Sequence, residues 1–157
     1  MTGEKILIAY YSYSGNTKSV AEKIQSLTGG NLFEIKPVKK YPDVYKEVVS
    51  IVKNEKAKNY KPALLQKCNV KNYDTIFIGT PVWWWTFASP VRTFLSENDF
   101  SGKTIIPFCT HGGGGASSTY NDIKELCPDA VIKEGFTSYN DTAVLKDIQK
   151  WVEESIK

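Results

Sequence analysis

Three nearly unbroken apolar runs constrain this chain more than any other feature: ILIAYY at 6–11, TIFIG at 75–79 and TIIPFC at 104–109. A strand with one face in water alternates apolar and polar side chains. A strand that reads apolar throughout is covered on both faces, as in a parallel sheet sandwiched between helices. Two further runs, LFEIK at 32–36 and VIKEGF at 131–136, are more mixed, as strands at the edges of a sheet are. The spacing predicts strands over 5–11, 31–36, 74–80, 103–110 and 130–136, with the first, third and fourth in the middle.

Helical stripes separate them. Val20, Ile24 and Leu27 recur at i, i+4, i+7; Val44, Val48 and Val52, joined by Tyr45, Val49 and Ile51, mark a second helix; Val144, Leu145, Ile148, Val152 and Ile156 mark the last. Shorter helices are expected over 89–96, opened by Pro90, and 118–126, stopped by Pro128. The alternation implies an α/β fold, a doubly wound five-stranded parallel sheet with helices on both faces and right-handed crossovers. One residue resists. Pro107 falls inside a strand read as central, where its missing N–H should cost a ladder bond, so a bulge or early fray is expected there.

A length of 157 residues suits one domain, 1–157, with a real core. Cys68, Cys109 and Cys127 are odd in number and widely spaced, which argues against a disulfide framework or a zinc site; with His111 the single histidine, no metal centre is expected. No apolar run reaches membrane-spanning length, and Met1–Lys5 leads into the first strand without a signal-peptide pattern, so a cytoplasmic protein is expected.

In open parallel sheets ligands bind beyond the carboxyl ends of the strands, so function is read from the segments after strands one, three and four. The first holds Ser12, Tyr13, Ser14, Gly15, Asn16 and Thr17: hydroxyls, a permissive glycine and the free amides of a helix N-terminus, together an anion nest. This segment holds no lysine or arginine before Lys18, which suits a small phosphate that is held and not transferred. The loop is neither G-x-x-x-x-G-K-S/T nor G-x-G-x-x-G. It lacks the cysteine of a phosphatase, and Tyr10-Tyr11-Ser12 lacks the acids of a receiver domain. The second segment, GTPVWWWTFASP at 79–90, sets three tryptophans on a loop, a wall for an aromatic ligand even if one packs back on the sheet. The third, CTHGGGGASS at 109–118, lets the backbone approach a ligand closely, with His111 either a ligand donor or an ordinary loop residue. A flat heteroaromatic ligand with one phosphate fits the three together.

Here the chain resembles the flavodoxin-like family, which binds FMN. Ser12-Tyr-Ser-Gly-Asn-Thr17 matches the family's phosphate signature S/T-x-S/T-G-x-T, and Thr80-Pro-Val-Trp-Trp84 and Thr110-His-Gly-Gly-Gly114 fall where its two isoalloxazine loops belong. The resemblance runs the length of the chain and implies the short-chain form, with strand order 2-1-3-4-5 and FMN across the carboxyl edge. It implies that Ser12, Ser14, Gly15, Asn16 and Thr17 hold the phosphate, with Tyr13 in the same turn. Pro81, Val82, Trp83 and Trp84 would meet the ring, after Thr80. Thr110 and Gly112, Gly113 and Gly114 would line its other edge, beside His111. No catalytic residue is implied, because the redox chemistry belongs to the flavin.

One departure bears on partners. Electron-carrier flavodoxins are strongly acidic, whereas this chain is at +3, with ten lysines against Asp43, Glu47 and Glu55 between positions 36 and 71. The segment reads as a solvated lysine face, and docking to a basic reductase loses its usual argument. Nucleic-acid binding is not expected, as no such module is visible. Three readings remain open: an FMN-binding electron carrier working with a redox partner protein, an NAD(P)H-dependent quinone or nitroaromatic reductase with a small-molecule acceptor, or a non-catalytic module that kept the fold. The oligomeric state is not legible.

Overall fold

The alternation of buried runs and helical stripes is realised along nearly the whole chain. The structure, a computed structural model, describes residues 5–156; Met1–Glu4, which bear on the expected absence of a leader, lie outside them. In order come β1 (Ile6–Tyr10), α1 (Asn16–Thr28), β2 (Asn31–Glu34), α2 (Tyr45–Ala57), β3 (Thr75–Trp83), β4 (Thr86–Phe87), α3 (Ser89–Glu97), β5 (Thr104–His111), α4 (Thr119–Leu126), β6 (Val131–Ile132), β7 (Phe136–Tyr139) and α5 (Leu145–Ser155). No helix among the described residues is long and apolar enough to cross a membrane.

The principal order is β2-β1-β3-β5-β6, all parallel, with the apolar β1, β3 and β5 inside as expected. The period of two sorts side chains to opposite faces. Ile6, Ile8, Phe77, Ile106 and Phe108 meet Val20, Ala21 and Ile24 of α1 and Ile148 and Val152 of α5. Leu7, Ala9, Ile76, Ile78 and Ile105 meet Val48 and Val52 of α2, Val91 and Phe94 of α3 and Ile123 of α4. Each fully buried Ile or Phe contributes about 1.5–3 kcal/mol, which explains why these strands tolerate no polar alternation. Packing is close enough to require glycine at Gly79, where an added Cβ would stand 2.2 Å from the Phe108 ring.

Three details correct the sequence reading. The expected fifth strand is two pieces. β6 pairs Val131 with Thr104, but β7 pairs Phe136 with Phe108, so five residues on one side span four on the other, a bulge of one residue. Gly135 sits in the break with the Tyr120 ring packed on it, an added Cβ there falling 2.4 Å from that ring. The Tyr120 hydroxyl donates to Phe136 O at 2.6 Å. This also resolves Pro107. The amides of Val131 and Lys133 donate to the carbonyls of Lys103 and Ile105, so the missing 107 amide faces the same side, where the fifth strand is broken. Pro107 therefore keeps its place opposite Ile78 of β3. Second, β3 does not end at Thr80. It runs on to Trp83 and turns back through β4, antiparallel, so part of the expected tryptophan loop is a hairpin. Third, β2 stops at Glu34, short of the expected Lys36, although the Ile35 amide still donates to Tyr10 O at 2.7 Å.

Candidate functional site

Each of the three segments is shaped by a local device. In the first, Gly15 takes φ 98° as the cap of α1, a left-handed turn that brings the first amides of the helix around a common point. The Ser12 hydroxyl accepts from the Gly15 amide at 3.1 Å and the Lys18 amide at 3.2 Å. The amides of Asn16 and Thr17 have no protein acceptor among the described residues. The first turn of α1 carries no acidic residue, so the positive helix end is uncompensated. Ser14 and Gly15 are exposed, Ser12, Tyr13 and Asn16 half-buried, and Thr17 fully buried. The Thr17 hydroxyl lies 2.8 Å from that of Thr110, a buried hydrogen bond tying the first segment to the third across 93 positions.

In the second segment, the Thr80 hydroxyl is engaged within the protein, accepting from the Ala88 amide at 2.9 Å and donating to Pro81 O at 2.8 Å. Pro81 pairs with Thr110 in the β3–β5 ladder, so the second and third segments are joined by sheet. Trp84 and Trp85 are the two loop residues between the paired Trp83 and Thr86, with φ 48° and 71°. Two positive φ angles in a two-residue hairpin are the type I′ geometry, normally met by Asn-Gly. The tryptophans are held there from outside the hairpin. Trp84 Nε1 donates to Val49 O of α2 at 2.8 Å, and its carbonyl accepts from Lys56 Nζ at 2.5 Å. The Lys53 ammonium lies 5.5 Å from its ring centroid. Trp85 O accepts from the Ser118 amide at 3.0 Å.

The three indoles have different surroundings. Trp83 is buried edge-on against Tyr41, Tyr11 and Tyr13, with centroids 4.9, 5.4 and 5.7 Å away. Burial pushes the phenols of Tyr11 and Tyr41 far above their ordinary value, so this cluster is a neutral wall. Trp84 is half-buried against α2. Trp85 is 56% exposed, its ring edge 3.6 Å from the point where a Gly114 Cβ would stand.

In the third segment β5 continues through Thr110 and His111, paired with Ser138 and Tyr139 of β7. The His111 Nδ1 accepts from the amides of Gly113 at 3.0 Å and Gly115 at 3.1 Å, which assigns the proton of the neutral ring to Nε2. Gly113 and Gly115 reach φ 139° and 76° to make these bonds. His111 thus clasps the glycine loop into a defined shape.

A cavity of about 320 Å³ lies between the hairpin and the glycine loop, lined by Val82, the three tryptophans, His111, Gly112 and Gly114. Its remaining wall is α2, through Tyr45, Val48, Val49 and Val52, a wall that sequence reasoning did not assign to the site. Trp85 and Gly115 also belong to it beyond the expected set. The signal was present at Tyr45, an apolar position of the α2 stripe that the core does not cover and that stays exposed. Ser12 and Tyr13 line a neighbouring hollow of about 310 Å³ on the other side of the tyrosine cluster. Ser14, Gly15, Asn16, Thr17, Thr80, Pro81, Thr110 and Gly113 line neither cavity; the Thr17–Thr110 and Thr80–Ala88 hydrogen bonds brace the segments that carry them.

The arrangement can do two things side by side: hold an anion on amides and hydroxyls, and hold a flat ring between indoles and a glycine backbone edge. Comparison with known proteins finds flavoproteins among the similar structures. A candidate flavoprotein from Bacteroides eggerthii DSM 20697 is 30% identical over 99% of both chains, with a TM-score of 0.85. The flavoprotein from Lactobacillus acidophilus NCFM, solved in complex with FMN, is 26% identical over 99% of this chain and 100% of that one, at TM-score 0.77. Oxidised flavodoxin 2 from Bacillus cereus, 21% identical over 97% of this chain and 95% of that one at TM-score 0.60, shares the fold. The family profile for flavodoxin matches residues 5–155, and this chain belongs to the flavodoxin family.

Proposed function

We propose that the chain binds FMN at this site and serves in electron transfer in the cytoplasm. The observation that carries the reading is the Thr17–Thr110 hydrogen bond at 2.8 Å, because it couples an amide nest built for a phosphate to the aromatic and glycine frame of the adjoining cavity. The residues present fit the group. The unpartnered first-turn amides of α1 and the absence of acid beside them suit a phosphate dianion. The Trp83–Trp85 hairpin and the clasped Gly112–Gly115 loop suit the two sides of a flat ring. Bound FMN would supply reversible one- or two-electron chemistry; the protein's residues orient it and exclude water from one side. The neutral tyrosine wall behind Trp83 lowers the local polarity, which disfavours a buried negative charge on the ring.

The test is titration of the FMN-free protein with FMN, followed by quenching of flavin fluorescence. Saturable one-to-one quenching is expected, and it weakens in Thr17→Ala, which removes the coupling hydroxyl. A protein that takes up no FMN at micromolar concentrations sinks the reading.

A second reading, an NAD(P)H-dependent quinone or nitroaromatic reductase, is favoured by one observation. Trp85 is 56% exposed at the cavity mouth, leaving an indole face on which a second aromatic molecule could stack. Direct bleaching of the bound flavin by NADH or NADPH within the dead time of manual mixing supports the reductase. Reduction only through a partner flavoprotein supports the carrier.

A further inference from the structure

The lysine-rich stretch between 36 and 71 lends the proposed FMN site one wall of α2 and the Lys53 and Lys56 contacts to Trp84, and its remaining lysines face elsewhere with their charge largely unpaired. All ten of its lysines are exposed. Among the described residues only Lys36 of these forms an ion pair, with Glu34 at 3.7 Å. Asp43, Glu47 and Glu55 offset part of this charge and leave the segment at +7, ten lysines less three acids; Glu55 itself lines a hollow in this face, its carboxylate accepting from the Tyr41 hydroxyl at 2.7 Å. A solvated lysine face needs no hollow, yet this one contains a cavity of about 520 Å³, larger than that of the FMN site. Lys39, Lys40 and Lys58 line it together with Tyr41, Ile51 and Tyr60. Tyr60 is 48% and Ile51 37% exposed, so apolar surface is left uncovered inside a cationic surround.

Position gives the hollow a use. Tyr41 lines it on one side and meets Trp83 at 4.9 Å on the other, and Trp83 lines the cavity assigned to the flavin ring. Lys53 and Lys56 carry the same positive field onto Trp84. One aromatic contact therefore separates an unsatisfied basic hollow from the redox site.

We propose that this hollow is the docking surface for an acidic redox partner protein, whose carboxylates meet Lys39, Lys40 and Lys58 while an apolar side chain enters between Tyr41 and Tyr60. Rim charges of this kind speed and orient encounter, and the enclosed apolar contact slows release. The polarity is the reverse of that in acidic flavodoxins, which use carboxylates of their own to meet a basic reductase. The proposal rests on the FMN reading for its redox meaning and on the lysine hollow for its chemistry.

The experiment uses the full chain after FMN loading, with a fluorescein-labelled peptide EEDFEED as the acidic probe, KKRFKKR as its charge-reversed counterpart, and anisotropy as readout. The acidic peptide is expected to bind, and to bind about tenfold more weakly at 200 mM than at 20 mM NaCl, as screening shortens the reach of the field. Lys39→Glu/Lys40→Glu/Lys58→Glu should abolish binding, whereas Lys124→Glu/Lys146→Glu/Lys150→Glu should leave it intact. Tyr60→Ala should weaken binding about threefold with an unchanged salt dependence. Matched FMN uptake in all variants shows that they fold. Equal binding by the triple variant at 39, 40 and 58 overturns the proposal. So does binding of an oligothymidylate as tight as that of the acidic peptide, which would make the face a general polyanion surface. FMN uptake without peptide binding refutes the docking surface alone; lysine-dependent peptide binding without FMN uptake refutes the FMN reading alone.

Discussion

Replacing Trp85 by glycine should leave the protein more stable than replacing it by alanine, a reversal of the usual order. Both substitutions remove the same indole, so the packing lost against Gly114 largely cancels in the comparison. What remains is the backbone. Residue 85 sits at φ 71°, where a Cβ costs about 1–2 kcal/mol that glycine does not incur. Glycine's greater freedom in the unfolded chain returns about 0.5–1 kcal/mol of that. The glycine variant should therefore exceed the alanine variant by about 0.5–1 kcal/mol, or roughly 1–4 °C in Tm for a chain of this size. Urea unfolding of the FMN-free proteins, followed by far-ultraviolet circular dichroism, measures the difference at matched m-values. The same inversion is expected at residue 84, φ 48°, without strict additivity because the two are neighbours. Alanine variants as stable as glycine variants at both sites would refute the left-handed hairpin. An inversion would show that the chain tolerates a strained turn to present two tryptophans where Asn-Gly would fold more easily.

Other expectations follow from the same geometry. Thr17→Val leaves the buried Thr110 hydroxyl without its partner and should cost about 1–3 kcal/mol, while the double variant with Thr110→Val should recover part of the loss in a double-mutant cycle. Burial raises the Cys109 thiol against the lowering effect of its Tyr120 and Thr137 contacts, and pushes Cys127 up to about 11. Burial raises the Cys68 thiol as well, but it alone of the three is partly open to solvent, so in native protein at pH 8 a thiol reagent should modify Cys68 first and leave the other two until unfolding. Burial, reinforced by Glu34 and Glu22, pushes the Tyr10 phenol up to about 12, and Tyr11, Tyr41 and Tyr120 are raised further, mainly by burial. The unfolded chain loses these protons near pH 10, so it binds fewer protons than the folded state above that value. The stabilisation is complete below pH 10 and declines as pH rises toward 12; a urea midpoint that stays flat from pH 9.5 to 11.5 would contradict it.

The sheet was legible because its signal is local. β1 is apolar throughout, and β3 and β5 are free of polar side chains over 76–79 and 105–109, the stretches packed between the two helical layers. The break between β6 and β7 was not legible, because it exists only in relation to other parts of the chain. Gly135 alone gives no sign that the Tyr120 ring from α4 packs against it, nor that the side of β5 it follows has no amide to offer at Pro107. The Trp84-Trp85 turn escaped for a related reason. Its residues carry the wrong turn chemistry, and its geometry is imposed by Val49, Lys56 and Ser118, which are remote in sequence. His111 illustrates the limit within the site itself. Sequence left it between ligand donor and ordinary loop residue; two glycine amides on Nδ1 make it the clasp of the loop, and that depends on a contact within 4 residues that composition does not encode.

The Ser12–Thr17 turn is the part of the site proposed to hold the phosphate, and its geometry bounds how strongly it can act. The Ser12 hydroxyl already satisfies the Gly15 and Lys18 amides. An incoming phosphate must therefore displace a neutral acceptor from some of the donors it uses, gaining only the difference between a charged and an uncharged acceptor there. Asn16 and Thr17 at the start of α1, with Tyr13 and Ser14 before it, offer amides with no protein acceptor among the described residues, and the turn from Ser12 to Thr17 holds no lysine or arginine to add a full positive charge. An anion bound this way is held by a few charge-assisted hydrogen bonds and by the end of one helix, on the order of a few kcal/mol. Tight retention then has to come from the ring, through the indoles and the clasped glycine loop. This division of labour predicts that inorganic phosphate alone binds in the millimolar range while FMN binds far more tightly. Comparable affinities for the two, measured by competition with FMN, would place the binding energy in the turn and refute it.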